Sequence, residues 1–443
     1  MSKLNHITLT EYQRLYLGEG ADARGRGISK KQFEALEAFV LKNDTAGYDG
    51  NYLKLGHAKG LGKVLQAQNY IGVIQLHDGL TIEILPKIAN LDDDQHNDEV
   101  RKIIVKMLKT LRDSPFKEVN TADLQTQKMP LLEVFIGMFL QGVAKLVQRG
   151  IKNDYITREE NSPFLKGKLL FSEHLKRNLV HKERFFVAYD NYLPDRVENR
   201  LIKTTLSFLY KLSKSSSNQQ RIREFLFVFD EVEVVHDIKT AFSKVKLNRQ
   251  MKDYEQIMIW CHLFLLGNSF APNKGNDVAF SLLFDMNVLF ESYVGHYLKK
   301  CCKEQVSLQD KGHYLACQGN VGKFALKPDI VIDGGKTIAD TKWKLLTGDK
   351  SNDGISQGDV YQMYAYATKY QQEGRECNQI FLIYPATENT ANIETSYCFK
   401  GVSSQVKEVP LNIVFFDLDK NEFAFQMNSL PNEQLFGNQL LPC

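Results

Sequence analysis

Leu131, Val134, Phe135, Met138, Phe139 and Val143 recur at helical spacing, so the stretch Pro130–Gly150 is expected to form a helix with one apolar stripe. Helices are also expected at about Asp98–Arg112 and over "ISKKQFEALEAFVLKND", where Ser29 and Gln32 have capping-box spacing. From about Tyr52 to Ile88 the pattern changes to strand, and "YIGVIQLHDGLTIEILPKI" is a hairpin candidate that turns at Asp78-Gly79. The acidic "LDDDQHND" reads as a solvated connector, and "KSSSNQQ" at 214–220 as a short linker or loop. "SLLFDMNVLFESYVGHYLKK" is expected to be helical, with a stripe through Leu282, Met286, Leu289, Phe290, Tyr293 and Tyr297 and with Glu291 off it. Beyond it lie two short apolar runs, Pro328–Ile332 and Thr337–Leu345, then a helix over "SQGDVYQMYAYATKYQQ" and buried strands at "QIFLIYP" and "LNIVFFDLD". The order predicts a strand-rich region 1–95, a mainly helical middle 96–270 and an α/β region 271–443.

Composition narrows this little. A chain of 443 residues with 43% hydrophobic content can fill roughly two or three ordinary cores. A net charge of +3 does not announce a nucleic-acid binder. The N-terminus does not read as a signal peptide and no apolar run is expected to reach membrane-spanning length. The seven cysteines lack C-x-x-C spacing, and a reduced cytoplasmic setting is the simplest expectation. Between 161 and 223 lysine and arginine outnumber acids, among them Lys166, Lys168, Lys176, Arg177, Arg196 and Arg200. These are either solvated helix faces or contacts for DNA phosphates or a partner chain.

The stretch "KPDIVIDGGKTIADTKWK", 327–344, poses a choice between two chemistries. A phosphate-binding loop ending at Gly335-Lys336-Thr337 needs a glycine where Ile330 stands. The alternative end, Gly62-Lys63, has His57 at that position and Val64 in place of a hydroxyl. A hairpin turning at Gly334-Gly335 explains the residues better. Ile332 then faces Thr337, and Asp329 faces Asp340. Alternation puts Asp340 and Lys342 on the face of Asp329, while Ile330, Ile332, Ala339 and Trp343 look the other way, toward a core. Two carboxylates directly opposed across strands, roughly 4.5–5.5 Å apart at Cβ, repel one another. A Mg²⁺ ion turns that cost into binding, because it prefers carboxylate oxygens and substrate phosphates. A nearby lysine can orient water or neutralise the transition state.

In this stretch the chain resembles the PD-(D/E)xK nuclease superfamily, which implies a mixed sheet flanked by helices. Pro328-Asp329 is similar to its first motif and Asp340-x-Lys342 to its second. Glu291 is similar to the acid on its first core helix, and Gln362-x-x-x-Tyr366 to the helix motif of the RecB-like branch. "MNVLFESYV", "LKPDIVI", "ADTKWK" and "DVYQMYAYA" resemble the McrC family of modification-dependent restriction nucleases. Patchier similarity extends upstream, through "YIGVIQLHDGLTIEILPKI", "FLKGKLLFSEHLKRN" and "PDRVENRLIK". The resemblance implies a Mg²⁺-dependent DNA endonuclease, with Mn²⁺ as a possible substitute. Asp329, Asp340 and Glu291 would hold the metal, Lys342 would position water, and Gln362 and Tyr366 would orient the lysine or touch DNA. It implies a McrB-like AAA+ GTPase hexamer as partner, which binds the GTP, and double-stranded DNA with modified cytosine as substrate. The absence of a phosphate loop in this chain fits that division. Arg24, Arg26, Lys54, His57, Lys59 and Lys63 lie near glycine-rich loops, and the Leu55–Lys63 loop is the expected partner contact. The competing functions are a stand-alone RecB-like repair nuclease and a non-catalytic GTPase-activating subunit.

Overall fold

The computed structural model describes residues 6–18, 20–22, 25–45, 52–112, 115–116, 129–266, 278–372, 376–390, 393, 396–400 and 408–424. Arg24 lies outside them. In the N-terminal part the strand-rich pattern resolves into two sheets. One has the order Ala21–Asp22, Gly25–Ile28, Arg14–Leu17, Gly62–Ala67, Leu53–Ala58. The other has the order His6–Thr10, Thr81–Leu85, Tyr70–Leu76, Val278–Asp285. The helix Lys30–Thr45 buries Phe33, Leu36, Phe39 and Val40 against residues of both, including Leu15, Leu65, Ile74 and Ile82. Its start is the expected capping box, in which the Ser29 amide donates to Gln32 Oε1 at 3.1 Å and the Gln32 amide to Ser29 Oγ at 3.4 Å. The hairpin Tyr70–Leu76/Thr81–Leu85 turns where expected, with Gly79 at φ +88°.

The strand Val278–Asp285 corrects the expected helix over 281–300. Ser281–Phe284 belongs to this N-terminal sheet, and the helix runs only over Met286–Cys301, capped by Asp285, whose Oδ1 accepts from the Asn287 amide at 2.8 Å. An apolar run abutting a helix offers no period of its own, so the two were not separable by pattern.

The middle is built around the helix Leu131–Arg149, packed by Val197–Leu212, Ser216–Val228 and Lys252–Leu266. This helix is long and apolar enough to cross a membrane, contrary to the expectation that no run would be, and most of it is buried against protein. Two expected loops are helix starts. Asp93, in "LDDDQHND", caps Asp94–Thr110 by accepting from the amides of Gln95 and His96. Ser215, in "KSSSNQQ", caps Ser216–Val228, and the segment is fastened to the buried Glu133. That carboxylate accepts from Ser213 Oγ at 2.8 Å, the Ser215 amide at 3.1 Å and Asn218 Nδ2 at 2.8 Å. The middle also holds a three-stranded sheet, Lys168–Leu169, Phe185–Leu193, Asp154–Ser162, with the helix Phe171–Asn178 against it. Several of its basic residues are ion-paired: Lys166 with Glu160, Arg177 with Glu173, Arg196 with Glu198 and Arg200 with Asp195. Among the described residues Cys261, Cys302, Cys317, Cys377 and Cys398 are free thiols.

The C-terminal part is a mixed sheet along Val306–Leu308, Ile330–Ile332, Thr337–Thr341, Gln379–Pro385, Val409–Asp417 and Ser396–Phe399, with Glu422–Ala424 beside Val409–Asp417. Alternation divides it between two cores. Ile330, Ile332, Ala339, Phe381 and Phe416 join the large core, to which Met286–Cys301 contributes Leu289, Phe290 and Val294. Val331, Ile338, Leu382 and Phe415 join a second core with Met363, Tyr366 and Tyr370 of the helix Gln357–Gln372. The sheet is therefore flanked by helices, as expected.

Candidate active site

The hairpin register is the one the turn demands. Ile332 pairs with Thr337 and Ile330 with Ala339, where the ladder ends, and Asp329, the next residue, lies near enough to Asp340 for their charges to repel. The turn holds Asp333, Gly334 and Gly335 at positive φ, which glycine accepts without strain. Lys336 pairs with Asp333 at 2.8 Å, and "GGKT" is thus turn and strand start.

Asp340 is 1% exposed, inside a parallel pairing with Gln379–Pro385. Its Oδ2 is ion-paired with the ammonium of Lys342. That ammonium also donates to Gln362 Oε1 at 3.0 Å, and Gln362 Nε2 donates to the Tyr366 hydroxyl at 2.7 Å. The i, i+4 spacing of Gln362 and Tyr366 on one helix permits this relay. Asp329 Oδ2 accepts from the amide and hydroxyl of Thr341, each at 2.8 Å. Glu291, half-buried on Met286–Cys301, accepts from Gln309 Nε2 at 2.9 Å, and the Gln309 amide donates to the Asp329 carbonyl at 2.8 Å.

The three acids act on one another. Burial and then the Asp329 charge push Glu291 up to about 7. Burial, then Asp329, then Glu291 push Asp340 up to about 7, against the pull of Lys342. Burial raises Asp329 despite its bonds to Thr341. Burial opposes the charge on Lys342, but the attraction of Asp340 and Asp329 outweighs it and holds the ammonium above its ordinary range. Burial raises Tyr366, which keeps its hydroxyl neutral.

Among the described residues, no three acid, histidine or cysteine side chains are already drawn together at metal-ligating spacing. Asp340 faces its lysine, and Glu291 faces Gln309. The donor set nevertheless suits a hard divalent cation: mutually repelling carboxylates, protonation-prone without a counter-charge, beside one lysine. Sequence reasoning missed Thr341 and Gln309. Thr341 occupies the variable position of the D-x-K motif, where the motif assigns no role. Gln309 carried no signal, because it is brought in by tertiary structure alone.

The segment expected to meet a partner has a regular backbone. Leu55–Lys63 is mostly a β-hairpin, not a mobile loop: Leu53–Ala58 pairs with Gly62–Ala67, and His57 lies opposite Lys63. His57 and Lys59 are exposed, while Lys63 is tied to Glu37 at 2.8 Å.

Comparison with known proteins decides the family. The model of the McrBC 5-methylcytosine restriction system component family matches residues 65–385. The chain belongs to this family. The matched stretch contains Glu291, Asp329, Asp340, Lys342, Gln362 and Tyr366, and starts after Lys63, within the second strand of that hairpin. A curated relative is the type IV methyl-directed restriction enzyme EcoKMcrBC of Escherichia coli (strain K12). It is 23% identical over 288 residues, spanning 61% of this chain and 81% of that protein. The fold is shared with a chain in the refined half-complex from the tetradecameric assembly of Thermococcus gammatolerans McrB AAA+ hexamers with bound McrC. There the TM-score is 0.66 at 19% identity, over 94% of this chain and 98% of that one.

Proposed function

We propose that this chain is the DNA-cutting subunit of a McrBC-like restriction complex. It would hydrolyse phosphodiester bonds in double-stranded DNA carrying modified cytosine, with Mg²⁺ or Mn²⁺. The observation that carries the proposal is the pair of the buried Asp340 and the half-buried Asp329, with Lys342 held on Asp340 by Gln362. Asp329 and Asp340 would hold the cation, with Glu291 acting directly or through water. When bound, the cation would neutralise charge on the scissile phosphate and acidify the attacking water. Thr341 fixes one oxygen of Asp329 and leaves the other for a ligand. Tyr366 fixes the amide of Gln362, so that its oxygen faces the Lys342 ammonium. Lys342, with two acceptors already positioned, can hold a water or a phosphate oxygen with its remaining donor.

The partner in this proposal is a McrB-like AAA+ GTPase hexamer that binds GTP and reads the modified base. Family membership and the solved likeness support it. The exposed His57 and Lys59 are the proposed contact for stimulating that GTPase. The experiment is cleavage of cytosine-methylated DNA by the chain with such a partner, GTP and Mg²⁺, compared with Asp340→Ala. We expect the variant to lose at least about a thousandfold in rate while keeping its circular dichroism spectrum. Cleavage at the unsubstituted rate overturns the proposal.

A further inference from the structure

The turn between His6–Thr10 and Arg14–Leu17 is closed by Gln13, whose amide donates to the Thr10 carbonyl and whose Oε1 accepts from the Thr10 amide, each at 3.1 Å. Tyr12 sits in it at φ +66°, a conformation unusual for a side chain of that size. Tyr12 is held there from the next strand: its amide donates to the Ala67 carbonyl at 3.1 Å, and its carbonyl accepts from Gln66 Nε2 at 2.9 Å.

This rigid turn carries Glu11 inward. Glu11 is 4% exposed and accepts the indole N–H of Trp343 on both oxygens, at 3.2 and 2.9 Å. It also accepts from the Lys87 amide at 2.9 Å. The Lys87 ammonium donates to the Trp343 carbonyl at 2.7 Å and lies 5.3 Å from the ring centroid. Trp343 is therefore gripped by side chain and by backbone, from the opposite end of the sequence, and it directly follows Lys342. Packing alone would not require this. Burying a carboxylate and an ammonium costs desolvation that an apolar contact would avoid, so their role is sought in geometry.

We infer that Glu11 is a positioning residue for cleavage: acting through Trp343, it fixes the backbone that leaves the strand Thr337–Thr341, so that the Lys342 ammonium stays aimed at Asp340. Because Tyr12 is bonded to the end of Gly62–Ala67, the same grip links the site to the strand that follows the exposed Lys59-Gly60 turn. The inference rests on the nuclease function proposed above.

The test uses the full-length chain with its AAA+ partner, GTP, Mg²⁺ and methylated DNA. Glu11→Ala is expected to lower kcat about tenfold to a hundredfold at nearly constant KM, whereas Glu11→Gln, which still offers an acceptor to the indole, stays within about threefold. In a Trp260→Phe background Trp343 is the sole indole, and its emission should shift to the red in Glu11→Ala and stay in place in Glu11→Gln. If Glu11→Ala does not fold, Lys87→Met replaces it, with a kcat loss of about tenfold expected. Unchanged kcat in the folded Ala or Met variant overturns the inference. So does a loss that merely tracks the unfolded fraction in a melting curve. Asp340→Ala separates the two claims. Full cleavage by that variant overturns the nuclease function itself, while its inactivity alongside full kcat in Glu11→Ala overturns only the role of Glu11.

Discussion

Asp340 has its ionised form disfavoured by burial and by Asp329, and favoured only by Lys342. Its folded pKa is pushed up to about 7, above the ordinary 3.8. A carboxyl raised in this way contributes least penalty below its unfolded value. It costs the metal-free fold progressively more as pH rises from about 4 through 7. The metal-free protein should therefore lose part of its stability between about pH 4 and pH 7, and Asp340→Asn should lose less. The difference should be roughly 1–3 kcal/mol, allowing for the ion pair that the substitution also weakens. Denaturant melts of the two proteins at several pH values, in chelator, measure it; parallel curves would show that the Lys342 pair already cancels the penalty. The Asp/Asp/Lys set was legible in the sequence because strand alternation and one glycine turn determine which side chains meet. Glu11 was not legible: it meets Trp343 across 332 positions, and no local period encodes such a contact.

Between elements, the tightest junction is where Tyr70–Leu76 pairs with Val278–Asp285. Gly72 stands there at φ +136°, and a Cβ on it would lie 2.0 Å from the Leu282 carbonyl oxygen. Backbone cannot yield as a side-chain tip can, so Gly72→Ala must separate the strands or abandon the conformation. We expect a loss of roughly 3 kcal/mol or more in denaturant unfolding. Gly62→Ala serves as a control: it has no atom within 4 Å of its Cβ at φ +74°, and should show the strain of positive φ alone. Equal losses in both would mean that the sheet contact contributes nothing. This junction also marks where pattern reading ran out. Helices with a clear stripe, such as Leu131–Arg149, were legible. Ser281–Phe284 was not, because a strand buried on both faces has neither the alternation of a half-exposed strand nor enough length to exclude a helix. The serine-rich 214–220 segment misled for a different reason. Its polar side chains serve a helix cap and the buried Glu133, and composition alone gives the same residues to a loop.

Across the whole molecule, one hydrophobic core is continuous. It runs from Ile71, Val73 and Leu85 of the N-terminal hairpin, through Phe135, Phe139 and Trp260 of the middle, to Phe290, Ile330, Ala339 and Phe416 beside the site. Aromatic contacts bridge the same regions, with Phe116 packed edge-on against Phe135, Trp260 and Phe284. The helix Met286–Cys301 that bears Glu291 thus has one flank on the C-terminal sheet and another on Asp94–Thr110, where Ser292 Oγ donates to the Thr110 carbonyl at 2.9 Å. A fragment of residues 286–443 would keep every residue proposed to touch the cation or DNA at the cleavage site but expose Met286, Leu289 and Trp343, and would lose the Glu11 and Lys87 contacts to that indole. Apolar surface of that extent, left uncovered, favours a collapsed state without fixed packing. We expect the fragment to retain far-ultraviolet circular dichroism, to lose its near-ultraviolet signal and to bind the dye ANS. It should cut DNA at less than about a hundredth of the full-length rate even with Mg²⁺, because a catalytic set misplaced by an ångström is already strongly impaired. A cooperative melting transition and near-native cleavage by the fragment would show that the sheet and its two helices suffice. The continuous core would then serve to hold the N-terminal hairpins in place and not to build the site.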